Sequence, residues 1–309
     1  MTRPFVRRKT MRSLKYRTLR RNTVTSALLV SAFSIIYFLQ ASSRRPRGCN
    51  VVQIWSHRGH LDSSSPESRN WTCDHVLMEL QTNGIRHFDV DVVYYQDQSI
   101  VAHPTEMGAT LGDFSPSPCS KLPLKTFIQK LKHQYGPEDF FITIEPKSAW
   151  TEEGDFLANP QDVVSGILDV LEEEPIPHQH CGIILQPWQL RDSRVAPLEY
   201  RINQHCLISV PLKRNDAPLS EDNFPADNNV KLIMPTIELF GNSDGDWFLK
   251  KSQRHGLQVV LWIVDTVDAL RKSLHMRGVH GVISNHPVRL KRMYEEICHG
   301  GYTVRGAVA

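Results

Sequence analysis

The chain has 309 residues, 40% hydrophobic and 22% charged, which gives room for one large globular domain or two small ones. Its formal charge of +3 is unevenly spread: positions 1–47 carry twelve Lys and Arg and no acid, leaving 24 basic against 33 acidic residues, a balance of −9, for positions 48–309. A body that acidic argues against nucleic acid as a partner, because neutralising phosphates needs a basic surface.

Nine basic residues lie between Arg3 and Arg21, followed by an uncharged segment, 22–43, and then by Arg44, Arg45 and Arg47. At 1.5 Å per residue, 22 helical residues span roughly 33 Å, about the thickness of a hydrocarbon core. The excess of positive charge on the N-terminal side favours a cytosolic N-terminus. The expected layout is a basic cytosolic tail (1–21), a transmembrane signal anchor (22–43), a linker (44–50), a folded body (51–300) and a tail (301–309). That layout is the one expected of a single-pass type II membrane protein of the secretory pathway, ER or Golgi, with its body in the lumen. A cleaved signal peptide and an organelle transit peptide remain alternatives. A lumenal body agrees with the sequon Asn70-Trp71-Thr72, a glycosylation acceptor at Asn70, and with the six cysteines (Cys49, Cys73, Cys119, Cys181, Cys206, Cys298), all beyond residue 48. Six cysteines allow 15 full pairings and their spacing selects none; for Cys181 and Cys206 a buried free thiol is as good a reading as a bridge.

The body opens with an apolar run, Val51 to Ser56, ending in His57-Arg58-Gly59-His60. Asp74 to Asn83 reads as a helix closed by Gly84. The stretch Ile85 to Val93 then reads as a strand with Phe88, Val90 and Val92 on one face and His87, Asp89 and Asp91 on the other. Two carboxylates side by side on one strand face are costly to bury unless something positive sits between them, and a hard divalent cation with oxygen ligands answers that need. After the turn-like Gln96 to Ser99, Ile100-Val101-Ala102 forms a hairpin partner that returns His103 towards the acidic strand. Leu122 to Tyr135 shows helical spacing. Phe140 to Ile144 is a strand ending in Glu145-Pro146-Lys147, where Glu145 and Lys147 share a face. The alternation continues with a helix (Val163 to Glu173), three strands (Gly182 to Leu185, Leu207 to Val210, Val230 to Met234), a helix (Trp247 to His255) and a strand (Leu257 to Val264). A helix (Thr266 to Met276), a strand (Gly281 to Ser284) and a helix (Val288 to Cys298) complete it. Eight core strands with helical or loop crossovers predict an α/β (β/α)8 TIM barrel preceded by one transmembrane helix, with the active site at the carboxyl ends of the strands. An open doubly wound sheet is the runner-up, but no glycine-rich phosphate loop opens a helix.

On a barrel, His57-Arg58, Asp89/Asp91 and Glu145/Lys147 end three successive strands and face one mouth. Carboxylates for a cation, basic groups for phosphate oxygens and histidines for proton exchange suit metal-assisted phosphoryl transfer. Each alone has a plain reading, a structural histidine or an ordinary ion pair; their joint placement makes the case.

These residues resemble the motifs of the glycerophosphodiester phosphodiesterases, TIM barrels of the phospholipase-C-like phosphodiesterase superfamily. His57-Arg58-Gly59 with Pro66-Glu67 is similar to the family's HRG…PE opening, Asp89-Val90-Asp91 to its Glu-x-Asp, His103 to its second histidine and Glu145-Pro146-Lys147 to its Glu-x-Lys. Leu261 to Asp265 is similar to its seventh-strand Trp segment, and Gly281 to Pro287 to its last motif. The resemblance implies His57 and His103 as acid and base, Arg58 and Lys147 on phosphate, and Asp89, Asp91 and Glu145 around one divalent cation, Mg²⁺ or Ca²⁺, with Glu67 and Trp262 in support. It implies hydrolysis of a glycerophosphodiester or lysophospholipid to a phosphate monoester and an alcohol. Three residues depart from the pattern: Asp89 replaces a glutamate, Pro104 an aspartate and Asn285 the last aspartate. Trp55-Ser56-His57 and Ala102-His103-Pro104 also resemble the menorin family. A catalytically inactive barrel used for binding or scaffolding, and a lipid phosphodiesterase of the sphingomyelinase D type, are the alternatives.

Overall fold

A computed structural model describes residues 49–299 apart from positions 51 and 188 and the stretches 60–70, 105–117, 148–158, 191–192, 213–223, 225–228 and 241–243. The anchor segment 22–43, the tails 1–21 and 301–309, Glu67 and the Asn70 acceptor lie outside the described residues. Among the described residues no helix is long and apolar enough to cross a membrane.

The chain runs β1 (Gln53–His57), α1 (Cys73–Thr82), β2 (His87–Tyr95), β3 (Gln98–Val101), β4 (Leu122–Pro123), α2 (Leu124–Tyr135), β5 (Phe141–Pro146), α3 (Pro160–Glu173) and β6 (Cys181–Ile184). It continues α4 (Glu199–His205), β7 (Leu207–Leu212), β8 (Val230–Pro235), α5 (Asp244–Arg254), β9 (Gln258–Leu261), α6 (Val267–His275), β10 (Val279–Ser284) and α7 (Pro287–His299). Strands β1, β2, β5, β6, β7, β8, β9 and β10 follow one another in that order, all parallel, and β10 pairs back onto β1, so the sheet closes. The expected TIM barrel is therefore the fold.

Strand alternation sorts the apolar side chains into two layers. Ile54, Phe88, Val90, Ile142 and Val282 pack with helix residues such as Leu77, Phe127 and Leu168. Trp55, Ile184, Leu232, Met234, Val260 and Ile283 pack with Phe141 and Trp262 in a cluster without helix residues, which is the barrel interior. A polar group on the inner face is thus enclosed below by apolar side chains and open only at the mouth. Local signals fix the ends of the elements. Thr72, Asn159 and Thr266 cap α1, α3 and α6 by accepting backbone N–H bonds, and Pro160 starts α3. Gly84, at φ +70°, ends α1 with its N–H on Gln81 O and that of Ile85 on Leu80 O, the Schellman pattern that aims the chain into β2.

The hairpin is tighter than its sequence suggests. Gln96 and Asp97 take φ values of 49° and 59°, a two-residue turn of the I′ kind, and β3 starts at Gln98. Residues 122–135 are not one helix. Leu122 precedes a proline, which disfavours helical backbone, so Leu122 and Pro123 pair with Val101 and Ile100 before α2 begins.

All six cysteines are bridged: Cys49–Cys298, Cys73–Cys119 and Cys181–Cys206. The free-thiol reading of Cys181 and Cys206 gives way because Gly182 and Leu207 are register partners on β6 and β7. The preceding cysteines then lie opposite each other, with Cα atoms 4.6 Å apart.

Candidate active site

The site grows from the register of β1, β2 and β5. His57 lies opposite Asp89, Asp89 opposite Thr143, and Asp91 opposite Glu145. Side chains of one parity on adjacent parallel strands share a face, so these groups meet inside the mouth. A cavity of about 280 Å³ opens there, lined on one side by His57, Arg58, Asp89, Glu145, Lys147 and Asn285. Its other side is Ile184, Pro211, Met234, Trp262, Ile263 and Ile283.

Arg58 leaves β1 at φ +55°, a left-handed conformation unusual for a non-glycine residue. Its N–H donates to Asp89 O, and its Nε comes within 2.7 Å of Asp91 Oδ2. That approach is too oblique for a hydrogen bond and acts as a charge contact. Lys147 Nζ sits 2.6 Å from Glu145 Oε1 and 3.3 Å from Asp91 Oδ1. Gln186 Nε2 donates to Glu145 Oε1 at 3.0 Å, and Thr143 Oγ1 to Asp89 Oδ1 at 2.8 Å. Behind the opening, Ala102 N donates to Asp91 O, which brings the hairpin and His103 beside the acidic strand.

Burial and neighbours divide the carboxylates. Burial pushes Asp89 up, the charges of Asp91 and Glu145 push the same way, and its pKa rises to about 8. Burial also raises Asp91, but Lys147 and Arg58 together outweigh it and hold this carboxyl below the usual range. Burial works against the charged form of Lys147, while Asp91 and Glu145 hold its pKa well above the usual value. Burial lowers both histidines against the pull of Asp91, His103 to about 4. The His103 ring feels the charge of His57, so the two histidines lie in one electrostatic neighbourhood.

Of the residues expected at the site, the structure thus gathers His57, Arg58, Asp89, Asp91, His103, Glu145 and Lys147, with Trp262 on the cavity wall. A cation shared by three carboxylates fits less well. Asp91, 3% exposed, is answered by Arg58 and Lys147, and among the described residues no group of three or more His, Cys, Asp or Glu is arranged to hold a metal ion. Asp89 and Glu145 do face the cavity, and the crowding that lifts Asp89 would be relieved by positive charge beside it. Sequence reasoning assigned no role to Thr143, Gln186 or Asp265. Thr143 was within reach of it, being two residues before Glu145 on the same strand face; Gln186 lies past a strand end, where side-chain direction is not periodic.

No protein-family model matches the chain, and no curated protein matches it either. Solved structures do. The glycerophosphodiester phosphodiesterase of Parabacteroides distasonis is 15% identical with a TM-score of 0.57, over 81% of this chain and 99% of that one. A phosphodiesterase of Oleispira antarctica, solved in complex with the product sn-glycerol-3-phosphate, is 13% identical with a TM-score of 0.54, over 82% and 99%. The glycerophosphodiester phosphodiesterase of Thermotoga maritima is 12% identical, also at 0.54, over 79% and 99%. The architecture is therefore a closed parallel barrel of the kind these phosphodiesterases share. That agrees with the resemblance carried by the residues themselves.

Proposed function

We propose that this chain is a phosphoric diester hydrolase that cleaves a glycerophosphodiester or lysophospholipid to a phosphate monoester and an alcohol. The observation that carries the reading is the placement of His57, Arg58, Asp89, Glu145 and Lys147 around one cavity at the carboxyl ends of β1, β2 and β5. The fold it shares with a phosphodiesterase solved with sn-glycerol-3-phosphate supports the substrate class. Lys147 and Arg58 supply fixed positive charge for the phosphate oxygens, and the apolar wall shields them from bulk solvent while leaving room for the attacking water. His57, kept neutral by burial, takes the proton of the attacking oxygen; His103, which burial lowers to about 4, protonates the departing alcohol once the negative charge of a bound phosphate beside it favours its charged form. Water adds across the P–O bond, so one oxygen ends on the monoester and one proton on the alcohol. A divalent cation, Mg²⁺ or Ca²⁺, held by Asp89 and Glu145 would neutralise charge on a phosphate oxygen.

A second reading, a barrel that binds without catalysis, is favoured by the commitment of Asp91 to Arg58 and Lys147. Glycerol phosphate or headgroup release by the purified chain with Mg²⁺ or Ca²⁺, lost in His57→Ala and His103→Ala, supports the hydrolase; inactivity across diesters and both metals favours the binding barrel. A cyclic phosphate product would point to sphingomyelinase D-type chemistry. For the cell, the reading is a type II membrane protein with its barrel in the secretory lumen. The three disulfides support it, because such bridges persist in oxidising compartments. A mobility shift on deglycosylation, lost in Asn70→Gln, checks it; no shift favours the organelle-targeted alternative.

A further inference from the structure

One partly buried chain of hydrogen bonds runs from His57 to residues that the chemistry above leaves without a role. His57 Nδ1 lies 2.7 Å from Asn285 Oδ1, across 228 residues of sequence. The Nδ2 of Asn285 donates to Asp265 Oδ2 at 2.7 Å and its backbone N–H to Asp265 Oδ1 at 2.8 Å. Ser284 Oγ donates to the same Oδ1 at 2.8 Å and itself accepts from His286 N. Asp265 thus receives three hydrogen bonds from the end of β10 and the residue after it, with Ser284 fully buried.

The chemistry of an amide settles the rest. A carboxylate only accepts, so the end of Asn285 that meets Asp265 must be its NH₂ group, which leaves Oδ1 for the histidine. An amide oxygen also only accepts, so His57 must carry its proton on Nδ1. That places the Nε2 lone pair on the cavity side, 3.9 Å from Asp89 Oδ2. With Asp265 removed or turned into an amide, Asn285 could rotate, present NH₂ to His57 and select the opposite tautomer.

We infer that Asn285 and Asp265 are positioning residues that fix His57 as the Nδ1–H tautomer with Nε2 free to act at the cavity. The sequence departure at position 285 is then a working substitution: a neutral acceptor held in orientation by an acidic neighbour. The assignment of Nε2 as the acting atom rests on the hydrolase reading, whereas the tautomer itself does not.

The test separates the two. Histidine ¹⁵N spectra of the folded chain, with the His57 signals identified through His57→Gln, report the tautomer directly. In the native chain Nδ1 gives a pyrrole-type and Nε2 a pyridine-type signal. Asn285→Leu and Asp265→Asn each mix or invert that pattern and lower kcat on the order of 10²-fold with little change in KM. The exchanged pair, Asp265→Asn with Asn285→Asp, can remake every bond: the amide moved to position 265 donates to the carboxylate moved to position 285, and that carboxylate accepts from His57 Nδ1. It recovers the native pattern and at least a tenth of the native kcat. A native pattern in both single variants, or an exchanged pair no better than either, overturns the inference. Should the chain hydrolyse no diester, the hydrolase reading falls and the spectra still decide the tautomer.

Discussion

Two halves of one mouth are built from different material. The tips of β1, β2 and β5 carry His57, Arg58, Asp89, Asp91, Glu145 and Lys147; those of β6, β7, β8 and β10 carry Ile184, Pro211, Met234 and Ile283. The polar half is held by ion pairs and hydrogen bonds of 2.6–3.3 Å, the apolar half by packing against the barrel interior. Among the described residues that line the cavity, charge is thus confined to one sector, where its low-dielectric surroundings strengthen it, and the facing sector is left to shape. Changes in the polar half should therefore alter turnover, and changes in the apolar half should alter selection.

The largest effect is expected for Lys147→Ala. It leaves Asp91 and Glu145 short of their shared cation, so kcat should fall by about 10³-fold and stability by about 3 kcal/mol, read by turnover and by denaturant unfolding. Next is pH. To bind a cation, Asp89 must lose a proton that it holds up to about pH 8, so the proton competes below that value. Mg²⁺ or Ca²⁺ affinity, measured calorimetrically, should weaken by about tenfold per pH unit below 8, with proton release on binding, and Asp89→Asn should abolish the dependence. The sign for folding is also set: the folded state binds a proton that the unfolded chain loses near pH 4. The stability of the metal-free chain therefore falls as pH rises from about 4 to about 8 on this account.

Across the mouth, Met234→Ala should raise KM by about tenfold for a diester with an apolar chain and leave kcat within about twofold, because only shape-dependent contact is lost. Equal losses of kcat from Met234→Ala and Lys147→Ala would erase the distinction between the halves. The smallest effect is reserved for His87, on the same strand face as Asp89 but one pleat deeper. It stacks against both Trp55 and Phe141, which also touch each other, with its pKa lowered to about 4 by burial and by the charges of His180 and Arg86. His87→Leu should change turnover by less than about twofold and stability by less than about 1.5 kcal/mol.

The same two sectors explain what could be read before folding. Period-2 alternation placed Asp89 and Asp91 together and predicted the barrel, since strand and crossover patterns are local. Motif order brought His57, His103 and Glu145 to one mouth. Nothing local told that Asp91 would be spent on Arg58 and Lys147, because that depends on how far β2 and β5 slide past each other. The link from His57 to Asn285 exists only because β10 closes on β1. The cysteine bridges were hidden for the same reason: Cys181 meets Cys206 through the register of β6 on β7. The apolar half was the least legible, since Ile184, Pro211 and Met234 look like any core strand residue until the barrel shows which end they occupy.

The central claim is that the polar half of the mouth breaks a phosphodiester bond. Phosphorus NMR of a glycerophosphodiester incubated with the purified chain and Mg²⁺ or Ca²⁺ reads that bond directly. The account predicts that the diester signal is replaced by a phosphate monoester with the native chain and persists with His57→Ala; an unchanged diester with the native chain under both metals, or equal conversion by His57→Ala, would contradict it.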